Sequence, residues 1–468
     1  MYENVTQKMA QLPPDCKADK LLDSIRDEFV RSEKTIVVLD DDPTGTQTCS
    51  DVVVLTAWRV NMIVNELRQK PAILFILTNS RSLPEREAVV LTREIGYNLN
   101  EAARESGRSI IVISRSDSTL RGHFPAEVDT LAATLGMTDA VTVLVPAFIE
   151  GGRVTIDDVH YLIENEVLMP VSETPFAADV VFGYQNANLK QWVEEKTKGC
   201  ISATDVRSVS LETIRLGGPQ QVRDVLEACP PGSVCVVNAV SYRDLEVVVM
   251  GLLLAEKSGR QFLYRSSATL VPIRAGLESG RGFVPQKESL VSGNGSLVVV
   301  GSHVPKTTSQ LNWLLSHGNH KAIEVHVPDI LNAPDPETKV QAISRQTDAW
   351  LSEGNNVVIY TSRHLETGSD QEHSLAINAV VSTFLVTVVS GLTVRPMFMV
   401  AKGGITASDL ATKALSVEKA LVLGSIIPGV PVWQLDANSK FPGLTYVVFP
   451  GNVGDETALE VACTTLGR

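Results

Sequence analysis

The chain has 468 residues, of which 44% are hydrophobic and 20% are charged, and this globular composition excludes a mainly disordered or coiled-coil protein. Its 54 acidic and 41 basic residues give a formal net charge of −13, which disfavours nucleic acid as a partner because a negative surface repels phosphate backbones. An anionic small substrate would therefore need a locally basic pocket.

The first half of the chain alternates short apolar runs with helical patterns, after a predicted N-terminal helical extension over residues 1–34. Runs that are apolar on both faces are typical of parallel strands covered by helices. The predicted strands are 35–40, 73–79, 109–114 and 140–147, with a helical pattern at 83–107 and a second series of apolar segments at 233–239, 245–259 and 261–267.

A Gly- and Ser-rich stretch without periodicity, 276–296, predicts a linker, after which the alternation of strands and helices restarts. The later elements are predicted at 296–302, 306–316, 355–362 and 395–404. We therefore predict an α/β fold with two domains, each a mainly parallel sheet flanked by helices, over 35–288 and 289–468, with a ligand cleft between them.

Membrane insertion and secretion are both disfavoured. The segment 374–394 carries no charge and is long enough to cross a bilayer, but its Ser, Thr and Asn content favours a buried helix, a turn and a strand. The N-terminus mixes charges where a signal peptide would be apolar. The six scattered cysteines form no C-x-x-C pair, so we expect no zinc site and a cytoplasmic protein.

Polar side chains follow the predicted strands of the first half, where open parallel sheets bind ligands. Asp40–Asp42 are three consecutive carboxylates, which are costly to bury unless they meet a cation, an arginine or substrate hydroxyls. Thr78–Arg81 offers a hydroxyl, an amide and a guanidinium fork that suits a carboxylate. Residues 114–123 combine arginine, aspartate, hydroxyl and histidine side chains, which is typical of an anion and hydroxyl site.

Glycines mark the remaining strand ends. Gly151 and Gly152 allow a close backbone approach just before Arg153. In the second half, Gly301-Ser302, the segment 402–409 and the segment 449–456 place Gly-bearing turns beside helices, where backbone N–H groups can bind phosphate. The chain contains neither a P-loop motif nor a dinucleotide-binding G-x-G-x-x-G after a strand.

Together these motifs resemble the four-carbon acid sugar kinase family, from about residue 35 to residue 460. The matching residues are Asp41, Asp42, Thr44 and Gly45 of an Asp-Asp-x-Thr-Gly loop, Thr78 and Arg81 of a Thr-x-x-Arg strand end, Asp117 to Gly122 of an Asp-Ser-Thr-Leu-Arg-Gly loop, Gly301 and Ser302 of a Gly-Ser turn, Gly403, Gly404 and Thr406 of a Gly-Gly-x-Thr loop, and Gly451, Asn452 and Gly454 of a Gly-Asn-x-Gly loop.

The resemblance implies an ATP-dependent kinase of D-threonate, D-erythronate or an oxo-tetronate, with ATP and Mg²⁺ as cofactors. Its partners would be small molecules, and the oligomeric state stays open, with a homodimer as one option. The expected substrate-binding residues are Asp41, Arg81, Arg115, Ser116, Ser118, Thr119 and Arg121. The expected nucleotide-binding residues are Gly301, Ser302, Gly403, Gly404, Thr406, Gly451, Asn452 and Gly454. The residues that would bind the metal ion stay open.

Three side chains receive specific roles. Arg81 is expected to pair with the substrate carboxylate. Asp42 is predicted to be the general base, because the neighbouring carboxylates should raise its pKa. Asp117 lies between Arg115 and Arg121 in sequence, which should lower its pKa, so we expect it to orient substrate hydroxyls.

Two other functions share these residues. Asp40-x-Asp42-x-Thr44 also matches the signature of haloacid-dehalogenase-like phosphatases, with Thr78 as a second motif and Gly454-Asp455 as the acidic pair. That interpretation leaves residues 114–123 and the Gly-rich loops unexplained. A non-catalytic sugar-acid sensor with the same fold is the third alternative.

Overall fold

The computed structural model describes residues 3–280, 282–283, 293–332, 335–364, 366 and 371–467, with the backbone alone for 371–376. The chain divides into two compact units. Unit 1 comprises the residues up to Thr48 together with Ala57–Ser279, and unit 2 comprises Cys49–Thr56 together with the residues from Gly280 onward. The predicted domain boundary between 288 and 289 lies outside the described residues and stays a prediction.

Unit 1 is built on a sheet of parallel strands that are buried along most of their length. In spatial order these are β10 (Arg207–Val209), β11 (Val234–Val237), β6 (Val141–Val145), β12 (Phe262–Ser266), β5 (Ile110–Arg115), β2 (Thr35–Asp40) and β4 (Ile73–Leu77). Every residue of β2 and β4 is buried, as expected for apolar runs covered on both faces.

Amphipathic helices flank this sheet. They are α1 (Val5–Gln11), α2 (Leu21–Ser32), α3 (Val60–Arg68), α4 (Glu85–Ser106), α5 (Ala126–Leu135), α6 (Leu189–Lys196), α7 (Leu211–Glu227), α8 (Tyr242–Lys257) and α9 (Leu270–Arg274). In α2 the buried residues are Leu21, Ile25 and Phe29, a spacing of four that forms one apolar face.

A small antiparallel sheet in unit 1 was not predicted from the sequence. Its order is β1 (Glu3–Asn4), β9 (Val167–Pro170), β8 (Val159–Glu164) and β7 (Arg153–Ile156). These strands are short and only partly buried, so their hydrophobic pattern is weak. The sheet matters for the site because β7 begins with Arg153.

Unit 2 has a mixed sheet in which the strands before the Gly-bearing loops are parallel. In spatial order the strands are β3 (Val52–Leu55), β17 (Lys419–Ile427), β18 (Val430–Leu435), β19 (Thr445–Phe449), β16 (Phe398–Lys402), β13 (Leu297–Val300), β15 (Asn356–Thr361) and β14 (His320–Val325). The pairs β3–β17, β17–β18 and β18–β19 are antiparallel.

The helices of unit 2 are α10 (Pro305–His317), α11 (Val327–Leu331), α12 (Pro336–Ser352), α13 (Gln371–Ser390), α14 (Gly404–Asp409) and α15 (Ala458–Leu466). Most of the uncharged segment 374–394 lies in α13, and β16 follows after a turn. None of the helices within the described ranges combines the length and the apolar character that crossing a bilayer requires. The predicted α/β class, with two domains that each contain a mainly parallel sheet, is confirmed.

The core of unit 1 gives a stability prediction at Trp192. Its ring stacks on Phe124 with 4.8 Å between centroids, and it is only 2% exposed. Trp192→Ala should lower the free energy of unfolding of unit 1 by about 3–5 kcal/mol, because the substitution leaves a cavity. The measurement is denaturant unfolding followed by circular dichroism.

Tyr97→Ala is the matched control, because Tyr97 is 60% exposed. Its effect should stay within about 0.5 kcal/mol. Similar losses in the two variants would mean that the Trp192 cluster does not anchor this core.

Candidate active site

Because the strands of unit 1 are parallel, the predicted substrate residues that follow them lie at one edge of the sheet. β4, β2, β5 and β12 are neighbours, and each ends at the same side of the sheet. Asp40 ends β2, Arg115 ends β5 and Ser266 ends β12, while Thr78 follows β4. Side chains that are far apart in sequence therefore meet in one place.

Arg81 is the centre of an ion-pair network. Its Nη2 lies 3.0 Å from Oδ1 of Asp41 and 3.0 Å from Oδ2 of Asp42, and its Nη1 lies 3.6 Å from Oδ1 of Asp117. Arg115 adds a second cation, with Nη1 3.1 Å from Oδ1 of Asp40 and 3.8 Å from Oδ1 of Asp41. The buried carboxylates are thus paired with buried guanidinium groups, as their desolvation requires.

Hydroxyl groups and a third arginine fix the carboxylates further. Ser116 Oγ donates to Oδ2 of Asp41 at 2.9 Å, and Thr44 donates to Asp42 through both its N–H and its hydroxyl. Asp117 accepts from the Thr119 hydroxyl and, at 2.7 Å, from Nε of Arg121. These contacts leave few orientations for the carboxylates.

The loop after β5 is anchored through its backbone. The carbonyl of Ser118 contacts Nε2 of His160 at 2.8 Å, and the carbonyl of Thr119 accepts from the Tyr184 hydroxyl at 2.7 Å. The Ser118 side chain is buried, but among the described residues it makes no contact with the ion-pair network, in contrast to the other predicted substrate residues. Gly122 has φ 124°, and a Cβ there would lie 2.6 Å from Nη2 of Arg265 and 2.8 Å from Oγ of Ser116.

The electrostatics differ from the sequence expectation for Asp42. Burial opposes its ionisation, but Arg81, Arg115 and the hydrogen bonds from Thr44 outweigh burial and hold the pKa of Asp42 below its usual value. The expected increase from neighbouring carboxylates is therefore wrong. The pKa of Asp40 instead is raised to about 7, mainly because the group is buried.

The pKa of Asp117 is lowered, as expected, although one of the two arginines responsible is not the predicted one. Burial opposes ionisation, yet Arg121 and Arg81 lower the pKa of Asp117 well below its usual range. The second cation is thus Arg81 and not the predicted Arg115. Asp42 and Asp117 are both ionised at neutral pH, and their side chains are 24% and 14% exposed, against 2% for Asp40 and Asp41.

A further buried ion pair, which sequence analysis missed, supports this edge of the sheet. Nη1 of Arg265 donates to Oε2 of Glu127 and to Oγ of Ser114, both at 2.9 Å. Ser80 Oγ donates to Oε1 of Glu127 at 2.5 Å. The available signal was a charged residue inside the apolar run 261–267, where an arginine must find a partner.

In unit 2, two of the three predicted phosphate loops line a cavity of about 230 Å³ at the ends of β13, β15 and β16. Gly301, Ser302, Gly403, Gly404 and Thr406 line it. Ile377, Val381 and Leu385 of α13 are spaced by four residues and form an apolar wall. The cavity therefore has a polar end and an apolar side, which is common in small-molecule sites.

The third predicted loop, 451–454, does not line this cavity but is tied to it. Thr307 Oγ1 donates to the carbonyl of Gly451 at 2.7 Å and contacts Ser302 Oγ at 3.1 Å. The side chain of Gln310 donates to the carbonyl of Val453 at 2.9 Å. Asn452 is exposed, and Gly454 has φ 83°.

Lys402 is a further residue that sequence analysis did not assign to the site. Its side chain is fully buried, and Nζ donates to the carbonyl of Pro450 at 2.5 Å and lies 3.9 Å from the centroid of Phe449. Burial, helped by Lys306, lowers the pKa of Lys402 to about 7. Lys402 thereby joins the loop after β19 to the Gly-Gly turn that follows β16.

Two protein-family models match the chain, one over each of the two candidate sites. The model of a sugar-binding N-terminal domain matches residues 36–273, and that of a nucleotide-binding C-terminal domain matches residues 297–459. The first match includes the ion-pair network, and the second includes the 230 Å³ cavity.

Two relatives carry functional names. A D-erythronate kinase from Heliobacterium modesticaldum is 25% identical over 289 residues, which cover 59% of this chain and 59% of the relative. A D-threonate kinase from Bordetella bronchiseptica is 30% identical over 154 residues, which cover 31% of this chain and 36% of the relative. The chain therefore matches less than two thirds of the length of either relative.

The fold also occurs in a solved structure. A Haemophilus influenzae protein of the DUF1537 family superposes with a TM-score of 0.61 at 18% identity, covering 92% of this chain and 100% of that protein. That likeness shows a common fold. With both domain models matched in order and along most of its length, the chain belongs to the four-carbon acid sugar kinase family.

Proposed function

We propose that the protein is an ATP-dependent kinase that phosphorylates a hydroxyl of a four-carbon sugar acid of the threonate, erythronate or oxo-tetronate type. The observation that carries this proposal is the pairing of two different sites on two matched domains. Unit 1 presents charged and hydroxyl side chains that suit a polyhydroxy acid, and unit 2 presents a cavity with Gly-bearing turns that suits a nucleotide.

In the proposed reaction, unit 1 holds the acceptor hydroxyl for attack on the γ-phosphate of ATP. Such transfer depends on positioning and charge neutralisation more than on covalent chemistry of the protein. We propose that Asp42, which is more exposed than Asp40, Asp41 and Asp117, accepts the hydroxyl proton although its pKa is lowered. Asp117, held by Arg121 and Arg81, would orient the substrate hydroxyls.

For the nucleotide, we propose that the glycines and hydroxyls of the 230 Å³ cavity face the phosphates and that the apolar wall of α13 faces the base. Magnesium would neutralise the phosphate charge when it is bound. Mg²⁺ usually binds through one or two carboxylates together with substrate phosphates and waters. Glu366 lines the cavity and fits this requirement, whereas the described residues include no cluster of three His, Cys, Asp or Glu side chains for a metal ion.

The phosphatase alternative loses support at Asp40. This carboxylate would be its nucleophile, but it is buried and ion-paired with Arg115. The sensor alternative differs from the kinase in turnover, which the first experiment measures.

The first prediction concerns the reaction. The purified protein with ATP and Mg²⁺ should release ADP with at least one of D-threonate, L-threonate, D-erythronate, L-erythronate and the oxo-tetronates, as measured by a coupled ADP assay. A reaction without acceptor is the control for ATP hydrolysis. Binding without ADP release would identify a sensor, and silence with every four-carbon acid would remove this substrate class.

The second prediction concerns the base. Asp42→Asn should lower kcat by about 10²–10⁴-fold while the Kd of the sugar acid changes little, because a general base acts in the transition state. Asp139→Asn, at an exposed position, is the matched control and should retain full activity. If Asp117→Asn gives the kcat loss and Asp42→Asn only weakens binding, the two roles are reversed.

The pH profile provides a further test of the base. A base with a lowered pKa is ionised until the pH falls below its ordinary value of 3.8, so kcat/KM should stay flat from pH 7 down to about pH 5. Asp40 as the base would instead produce a loss of activity as the pH falls through about 7. Steady-state kinetics between pH 5 and pH 9 distinguishes these two carboxylates.

The third prediction in this set concerns ATP. Gly404→Val should raise the Kd of ATP strongly, because the new side chain projects from a residue that lines the cavity. Binding of the sugar acid to unit 1, measured by calorimetry without ATP, is the internal control and should be unchanged. Wild-type affinity for ATP in this variant would contradict the placement of the nucleotide.

A further inference from the structure

The arginines of the ion-pair network already have carboxylate partners within the protein. Arg81 contacts Asp41, Asp42 and Asp117, and Arg115 contacts Asp40 and Asp41. Two more arginines of this sheet edge are paired in the same way, namely Arg121 with Asp117 and Asp179, and Arg265 with Glu127. A substrate carboxylate would have to compete with these internal anions, so the predicted pairing with Arg81 is unfavourable.

Arg153 differs from those arginines in having a backbone carbonyl, and no carboxylate, as its hydrogen-bond partner. Its Nη1 donates to the carbonyl of Gly151 at 2.5 Å. Its Nε is buried without a hydrogen-bond partner among the described residues, a feature that it shares with Arg81 and Arg115. No carboxylate in the described part of the chain lies within 4.0 Å of its guanidinium. Burial lowers the pKa of Arg153, which expresses the cost of keeping a charge there without a counterion.

The loop before Arg153 leaves space for the guanidinium group and contacts it. A Cβ at Gly151 would lie 2.3 Å from Nη1 of Arg153 and 2.4 Å from the ring of Phe148. The Phe148 ring lies 5.9 Å from the guanidinium carbon, and the backbone N–H of Arg153 donates to the carbonyl of Phe148 at 2.8 Å. Gly151 thus leaves the space that the guanidinium of Arg153 occupies at the start of β7.

Arg153 is also electrostatically close to the loop after β5. Asp117 and Arg121 both act on its charge, the former favourably and the latter unfavourably, and the exposed Glu164 adds a weaker favourable effect. Arg153 and Asp117 likewise both act on His160, whose Nε2 contacts the carbonyl of Ser118. Arg153 therefore belongs to the same neighbourhood as the predicted substrate loop.

We propose that Arg153 binds the carboxylate of the sugar-acid substrate and that this contact selects acids over neutral sugar alcohols. The inference rests on the proposed function. A guanidinium offers two parallel N–H groups to a carboxylate, which gives both affinity and a fixed orientation. A carboxylate bound at Arg153 leaves Arg81 with its internal partners, and it leaves the substrate hydroxyls to the loop after β5, whose Asp117 acts electrostatically on Arg153.

The test compares Arg153→Gln with the wild-type protein on two acceptors, a four-carbon acid and the corresponding neutral sugar alcohol. Kd is measured by calorimetry and kcat/KM by ADP release. Arg153→Gln should raise the Kd of the acid by about 30-fold or more, the usual effect of truncating a desolvated charge pair. Its effect on the alcohol should stay within about twofold, so the preference for the acid should fall.

Two further variants complete the test. Arg153→Lys keeps the charge without the planar fork and should give an intermediate loss for the acid alone, which retains the test if the Gln variant folds poorly. Arg93→Gln, at an exposed position of unit 1, is the matched control and should behave as wild type.

The outcomes separate the inference from the proposed function. A wild-type protein that phosphorylates no four-carbon acid overturns the function, and the inference with it. An active wild-type protein whose preference for acid over alcohol survives in Arg153→Gln overturns the inference alone. Equal losses for acid and alcohol would assign Arg153 a structural role and would also overturn it.

Discussion

The burial of carboxylates against guanidinium groups at the strand ends of unit 1 is the constraint on which the candidate site depends. Asp40 and Asp41 are almost completely buried, which is affordable only because Arg81 and Arg115 lie within ion-pair distance. Removing one partner of such a pair typically costs about 3–5 kcal/mol, because the other charge stays buried. The loops after β2, β4 and β5 must therefore adopt their positions together.

The same low-dielectric environment gives neighbouring aspartates different chemistry. Asp40, which is buried more completely, has its pKa raised to about 7, whereas the cations and hydrogen bonds around Asp42 lower the pKa of that group. Two residues that are nearly adjacent in sequence are thus suited to different tasks. At Asp40 burial dominates and the neighbouring Asp41 and Asp42 add to it, whereas at Asp42 the two arginines and the hydrogen bonds from Thr44 outweigh burial.

The sequence was most informative where its pattern is strong. Continuous apolar runs such as 35–40 and 73–79 predicted the parallel strands, and the direction of those strands explained why Asp41, Arg81 and Asp117 would meet. The short strands β7 to β9 carry no clear period, and Val52–Leu55 pairs with Lys419–Ile427 across a distance in sequence that no local pattern encodes. The pKa of Asp42 and the pairing of Arg265 depend on three-dimensional distances in the same way.

Two basic residues without carboxylate partners among the described residues bear on how an acidic protein could bind anionic ligands. The chain carries a net charge of −13, which would repel both a sugar acid and ATP. Arg153 in unit 1 and Lys402 in unit 2 each lie beside a Gly-containing loop, and each contacts backbone carbonyls and an aromatic ring. An unneutralised cation at low dielectric creates a strong local positive potential. Arg153 therefore offsets the negative net charge at the proposed sugar-acid site. Lys402, whose pKa is lowered to about 7, is only partly protonated at neutral pH and offsets that charge less at the proposed nucleotide site.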